Sequence, residues 1–143
     1  MTIARLAHYS IRSNDLDASR RFYTEVMGLR VGFRPPFDFP GIWLYLDEDE
    51  SEFGVVHVIG ADPDDSAGLR AYLGDRGIRG ETGTGAVDHI AFLAEDWPTM
   101  RRRCLAAGVD FVERTVPLLG LRQVFIVDPS GVTIELNYPS VGA

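Results

Sequence analysis

Two stretches carry the reading of the fold: Leu6-Ala7-His8-Tyr9-Ser10-Ile11-Arg12-Ser13-Asn14-Asp15 and Val87-Asp88-His89-Ile90-Ala91-Phe92-Leu93-Ala94-Glu95-Asp96. They align at an offset of about 81 residues, and in each an aspartate follows the histidine after seven positions. Self-similarity at a fixed period marks a chain built from repeated units. Both stretches predict a strand with the histidine inside it, followed by a helix that the aspartate caps. The helical patterns are Leu16, Ser19, Phe22, Tyr23 and Val26 in the first half, and Trp97, Met100, Cys104 and Leu105 in the second. Their spacing of three and four residues is that of one helix face. Pro98 suits a first turn, where its missing N–H is not needed. Gly28 and Gly108 suit the left-handed position that ends a helix.

Further strands follow each glycine. In the first half they are expected at Leu29–Phe33, Ile42–Asp47 and Phe53–Ile59. In the second half they are expected at Val109–Val112, Leu121–Val127 and Val132–Tyr138. The acidic run 48–52 and the Asp128-Pro129-Ser130-Gly131 turn separate the last two strands of each half. Each half therefore reads β-α-β-β-β. The expected fold is α+β, with two tandem βαβββ modules (3–59 and 87–138) forming one curved, partly closed mixed β-sheet around a metal cavity. The Gly- and Asp-rich segment 60–86 reads as a linker or lid with one short helix near Ser66–Gly74.

Working outward, the chain has 143 residues, 45% of them hydrophobic and 24% charged, which fits one soluble globular domain of two small halves. The formal net charge of -7 speaks against a nucleic-acid partner, since no bulk positive charge is available to track phosphates. Cys104 is the single cysteine, so no intrachain disulfide can form and a cytoplasmic setting is expected. No apolar run is long enough to span a membrane, and the first residues lack a signal-peptide pattern, so no membrane partner is expected.

All three histidines fall in expected strands, at matching places in the repeat. His8 and His89 are equivalent on the first strands, and His57 and Glu135 are nearly so on the last. A pseudo-two-fold fold would bring these four together as three imidazoles and one carboxylate. That donor set suits Zn, Ni or Fe, with Mn or Co also possible, better than Ca. Alternation puts Glu135 on one face with Thr133 and Asn137, and Ile134 and Leu136 on the other. A packed strand histidine and a solvated strand glutamate are the plain alternatives. The aromatic run Phe33, Phe37, Phe39, Trp43 and Tyr45 could line an apolar pocket, or belong to core or dimer contact. Arg34 or Arg122 could clamp a substrate carboxylate, or lie at the surface. Cys104 reads as core, and Arg101–Arg103 as a solvated helix face.

These residues resemble the vicinal oxygen chelate superfamily of glyoxalase I, extradiol dioxygenases and bleomycin resistance proteins, and within it a glyoxalase-I-like subgroup. The resemblance rests on the His8 strand, on Asp15…Arg21-Phe22-Tyr23…Met27-Gly28-Leu29, on Val87–Phe92 and on Phe125–Glu135. It implies metal ligation by His8, His89 and Glu135, with catalytic roles for His57 and Glu135. It also implies a divalent metal, a small substrate chelated through vicinal oxygens, and a homodimer. His57 departs from the carboxylate that glyoxalase I carries there. It is either a fourth ligand, the expectation adopted, or an acid–base group beside the metal. Phe125 stands where ring-cleaving enzymes carry a tyrosine, which speaks against Fe(II) extradiol cleavage. The intact donor set speaks against a non-catalytic resistance protein. The leading expectation is glyoxalase-like isomerase or lyase chemistry. The resemblance leaves open whether one chain or two supply the donors.

Overall fold

The structure is a computed structural model that describes residues 5–51, 54–62, 64, 66–74, 83–85, 87–116 and 120–139. The chain divides into two compact units, Met1–Glu81 and Thr82–Ala143. Each has the expected βαβββ order, and the described strands hydrogen-bond as two four-stranded sheets, one per unit.

In the first unit, β1 (Tyr9–Ser13) leads to α1 (Leu16–Arg21), which continues as a π turn over Phe22–Val26. Asp15 caps the helix by accepting from the Ala18 N–H at 3.0 Å. The wider π turn keeps the neighbours Phe22 and Tyr23, together with Val26, all buried, where a regular α-helix was expected to continue. Gly28, at φ +78°, then turns the chain into β2 (Arg30–Gly32). β3 (Gly41–Tyr45) and β4 (Val56–Gly60) complete a sheet of order β1-β4-β3-β2, parallel between β1 and β4 and antiparallel elsewhere. Buried Ile11, Ile42, Leu44, Val56 and Val58 alternate with residues of the opposite face. The expected helix of the connecting segment is α2 (Ala67–Leu73). Its Leu69 and Leu73 bury with Ala61, and Phe39 and Ile59 pack against them. This part of the segment is thus integral to the first unit.

In the second unit, β5 (Ile90–Leu93) leads to α3 (Trp97–Ala107). Asp96 caps α3 through the Thr99 N–H at 3.2 Å and the Thr99 hydroxyl at 2.6 Å, and Gly108 closes it at φ +67°. Trp97, Met100 and Cys104 form the buried stripe, but Leu105 is 56% exposed and does not join it. β6 (Val112–Val116), β7 (Leu121–Val127) and β8 (Thr133–Pro139) give the order β5-β8-β7-β6. The strand expected at Val109–Val112 begins only at Val112. The Val109 N–H is taken by the Cys104 carbonyl in the helix cap, and Phe111 packs edge-on against Trp97. Asp128 organises the β7–β8 turn, with Oδ1 accepting from Ser130 and Val132 N–H groups at 2.8 Å each.

His8 and His89 lie one residue before β1 and β5, not inside strands as expected. Gly54, at φ +81°, turns the chain just before β4, so the β1–β4 ladder starts at Tyr9↔Val56. In the other sheet the ladder starts at Ile90↔Ile134, because the Thr133 N–H donates to Thr84 Oγ1 at 2.8 Å. His57 is inside β4, as expected.

Candidate functional site

The first unit pairs two of the expected donors. The rings of His8 and His57 stack with centroids 3.8 Å apart and planes at 18°. On the other side of His57 the indole of Trp43 stacks at 3.9 Å and 5°. Register explains the second contact, since Trp43 and His57 are direct partners across β3 and β4. His57 is buried and His8 exposed. Stacking engages the ring faces, whereas imidazole nitrogens present their donors and lone pairs in the ring plane.

From Trp43 an aromatic series continues away from the imidazoles. Phe37 lies 6.2 Å from Trp43, Phe39 5.2 Å from Phe37, and Tyr72 of α2 4.8 Å from Phe39, between ring centroids. Arg34 is used inside this cluster. Its guanidinium lies over Phe37 and Phe39 at 5.0 and 4.9 Å and donates to the Phe39 carbonyl at 2.9 Å. Phe33 has a half-exposed ring and a pinned backbone, its carbonyl accepting from the Tyr45 hydroxyl at 2.6 Å.

The second unit pairs the other two. His89 Nε2 lies 3.3 Å from Glu135 Oε2, and His89 Nδ1 lies 2.8 Å from Asp88 Oδ2. The hydrogen bond to Asp88 raises the pKa of His89 against a smaller effect of desolvation, and the charge of Glu135 adds to the rise. Glu135 is buried, and two amides address it. Gln123 Nε2 donates to Oε1 at 2.7 Å, and Asn137 Nδ2 to Oε2 at 3.3 Å. Arg122 is exposed and alternates onto the other face of β7 from Gln123, away from Glu135.

The four expected donors thus come as two pairs, one within each unit. Among the described residues, no group of three or more His, Cys, Asp or Glu side chains could hold a metal ion. The spacing of the His89–Glu135 pair is that of two donors that could share one ion. Metal–ligand bonds of about 2.0–2.2 Å put neighbouring donors roughly 3.0–3.5 Å apart. Anchoring Nδ1 on a carboxylate while Nε2 faces the ion is also the usual arrangement of a ligating imidazole. Asp88, Gln123 and Arg114 were not singled out from the sequence. Adjacency to His89 was the signal for Asp88; Gln123 and Arg114 lie among consecutive polar residues of β7 and β6, where strand alternation singles neither out.

The family model of the Glyoxalase/Bleomycin resistance protein/Dioxygenase superfamily matches residues 5–136. The chain belongs to this superfamily. It is 30% identical over 139 residues to a probable lactoylglutathione lyase of Vibrio parahaemolyticus, covering 95% of this chain and 91% of that one. It is 25% identical over 138 residues to a glyoxylase I 4 of Arabidopsis thaliana, covering 94% of this chain and 70% of the relative. Among solved structures, a glyoxylase/bleomycin resistance protein/dioxygenase domain from Frankia superposes with a TM-score of 0.70 at 18% identity, covering 99% of this chain and 96% of that one. The fosfomycin resistance protein FosX of Listeria monocytogenes gives 0.66 at 16% identity, covering 99% and 98%. These likenesses establish the superfamily fold for the two βαβββ units.

Proposed function

We propose that this superfamily member is a divalent-metal-dependent enzyme of glyoxalase type, an isomerase or lyase for a small substrate held through neighbouring oxygens. His8, His57, His89 and Glu135 are the proposed metal donors. The observation that carries the reading is the His89–Glu135 pair, whose 3.3 Å separation and Asp88 anchor suit ligation. The relative named as a lactoylglutathione lyase supports the choice of chemistry.

A bound divalent ion would supply Lewis acidity at the substrate oxygens. The chain's own side chains hold the rest of the work. Trp43 and His8 keep the His57 ring in one plane, so its nitrogens present in a fixed direction. Glu135 is the proposed catalytic carboxylate as well as a proposed metal donor, with Oε1 held by Gln123 and Oε2 left toward His89. Trp43, Phe39 and the exposed Phe33 are the proposed apolar residues for the substrate body. Arg34 supports Phe39, donating from Nη2 to the Phe39 carbonyl with its guanidinium over the Phe39 ring, and is a further proposed substrate contact through its remaining N–H groups. We further propose a homodimer, as the family resemblance implies.

The test is reconstitution of apo-protein with Zn, Ni, Co, Mn or Fe(II), each assayed for the lactoylglutathione lyase reaction and, separately, for oxygen uptake on catechols. Metal-dependent lyase or isomerase turnover without oxygen uptake is the expected result. Absence of metal binding, or stoichiometric Fe(II) with oxygen uptake, would overturn the proposal.

A further inference from the structure

The polar chain that reaches Glu135 through Gln123 extends further across the sheet face of the second unit, to Arg114. Its register is set by the ladders: Arg114 pairs with Gln123, and Gln123 with Asn137, while Phe125 pairs with Glu135. The Gln123 amide is committed at every polar position. Its oxygen accepts from Arg114 Nε at 2.6 Å, and its nitrogen donates to Glu135 Oε1 at 2.7 Å and to Asn137 Oδ1 at 3.2 Å.

Only one orientation of the amide satisfies these partners. Arg114 is a pure donor, and a carboxylate is a pure acceptor. A flipped amide would set its NH2 group against the Arg114 N–H and its oxygen against Glu135 Oε1 and Asn137 Oδ1. Three favourable contacts would become three repulsive ones. Asn137 can then turn its own amide nitrogen to Glu135 Oε2, at 3.3 Å, because Gln123 occupies its oxygen. The Arg114 guanidinium is itself steadied by the ring of Phe125, 5.5 Å away.

We propose that Gln123 is a positioning residue for Glu135, and that Arg114 sets the sense of the Gln123 amide. Through this relay one carboxylate oxygen is tied to the sheet and the other is left toward His89 Nε2. The inference rests on the reading of Glu135 as a metal donor. It adds that the donor's orientation is encoded on β6 and β7, away from the ligand strand itself. Groups hydrogen-bonded to a ligating carboxylate typically contribute about 10–100-fold in metal affinity.

The experiment titrates apo wild type and three variants with zinc, and follows the thermal melting of each apo-protein. Gln123→Leu removes donor and acceptor at nearly constant size. Gln123→Glu retains an acceptor for Arg114 but removes the donation to Glu135. Arg114→Met leaves the amide free to turn. Both Gln123 variants are expected to bind zinc about 10–100-fold more weakly. Arg114→Met is expected to fall between them and wild type, with the apo melting temperature unchanged. A packing role would instead lower the melting temperature and leave Gln123→Glu close to wild type in affinity. Wild-type affinity in Gln123→Leu would overturn the positioning role while leaving the metal reading intact. Where wild type prefers nickel, cobalt, manganese or Fe(II), that ion replaces zinc in the titration, and wild type that binds none of the five would overturn both. Should the Gln123 variants fail to fold, Arg114→Met at its exposed position decides, and unchanged affinity there overturns the relay.

Discussion

Tyr138 shows how one atom can oppose an otherwise well-packed residue. Its ring is buried against Trp97, 5.6 Å between centroids, yet its hydroxyl has no hydrogen-bond partner among the described residues. A buried hydroxyl left unpaired is a net loss, so Tyr138→Phe should raise stability by up to about 1 kcal/mol in urea melts near neutral pH. Burial, first among the causes, pushes the Tyr138 pKa up to about 12. An unfolded tyrosine ionises near 10, so the folded state holds this proton more tightly. The associated stability is complete below about pH 10 and is lost as pH rises toward about 12, and Tyr138→Phe should lack that loss. His57 offers a second test at this scale. If it is a ligand, His57→Ala should weaken metal binding by at least about 10²-fold. If it only moves a proton, affinity should hold while turnover falls by roughly 10²–10⁴-fold. Metal titration alongside kinetics separates the two, and ligation is the expected outcome.

Among the elements, α2 depends on one glycine. A Cβ on Gly68 would overlap the Asp38 carbonyl in the segment that carries Phe37 and Phe39. Glycine is needed here for close approach, since backbone atoms cannot swing aside as a side chain can. Gly68→Ala should therefore unseat α2, loosen the Leu69–Leu73–Ala61 cluster and destabilise by about 1–3 kcal/mol. Faster hydrogen exchange across Ala67–Leu73 is the specific readout, and an unchanged rate there would contradict the docking. The caps of α1 and α3 were legible in the sequence because a cap is a local bond, with Asp15 and Asp96 each serving a residue three positions on. The starts of β1 and β5 were not. Where a ladder begins depends in one sheet on Gly54, remote from β1, and in the other on the bond between Thr84 and Thr133, 49 residues apart.

For the molecule as a whole, metal binding and folding are linked. An ion that binds only the folded state stabilises it by about 2.7 kcal/mol at a concentration a hundred times its Kd. For a chain of this length that corresponds to a rise in melting temperature of about 5–10 °C. Chelation should reverse the rise, and His8→Ala or Glu135→Ala should abolish it with the fold retained by circular dichroism. Sedimentation at micromolar concentration should show a dimer. The aromatic run offers less free surface than its composition suggested, since Tyr45 is buried and Trp43 lies on His57. Leu93, Val112, Val87, Leu105 and Val127, at 85%, 66%, 57%, 56% and 53% exposure, are the second unit's apolar candidates for a partner copy among the described residues.

By itself the sequence determined the repeat, the βαβββ order, the helix caps and the face of β8 that carries Glu135. These follow from short-range rules: which residues cap, which glycines turn left-handed, and a two-residue strand period. Only the tertiary structure decided that His57 is held between His8 and Trp43, that Arg34 is committed to Phe39, and that the Gln123 amide stands between Arg114 and Glu135. Those contacts are made across strand ladders or between a loop and its cluster. A pairing register brings together residues far apart in the chain, and local periodicity carries no record of which strand lies opposite which.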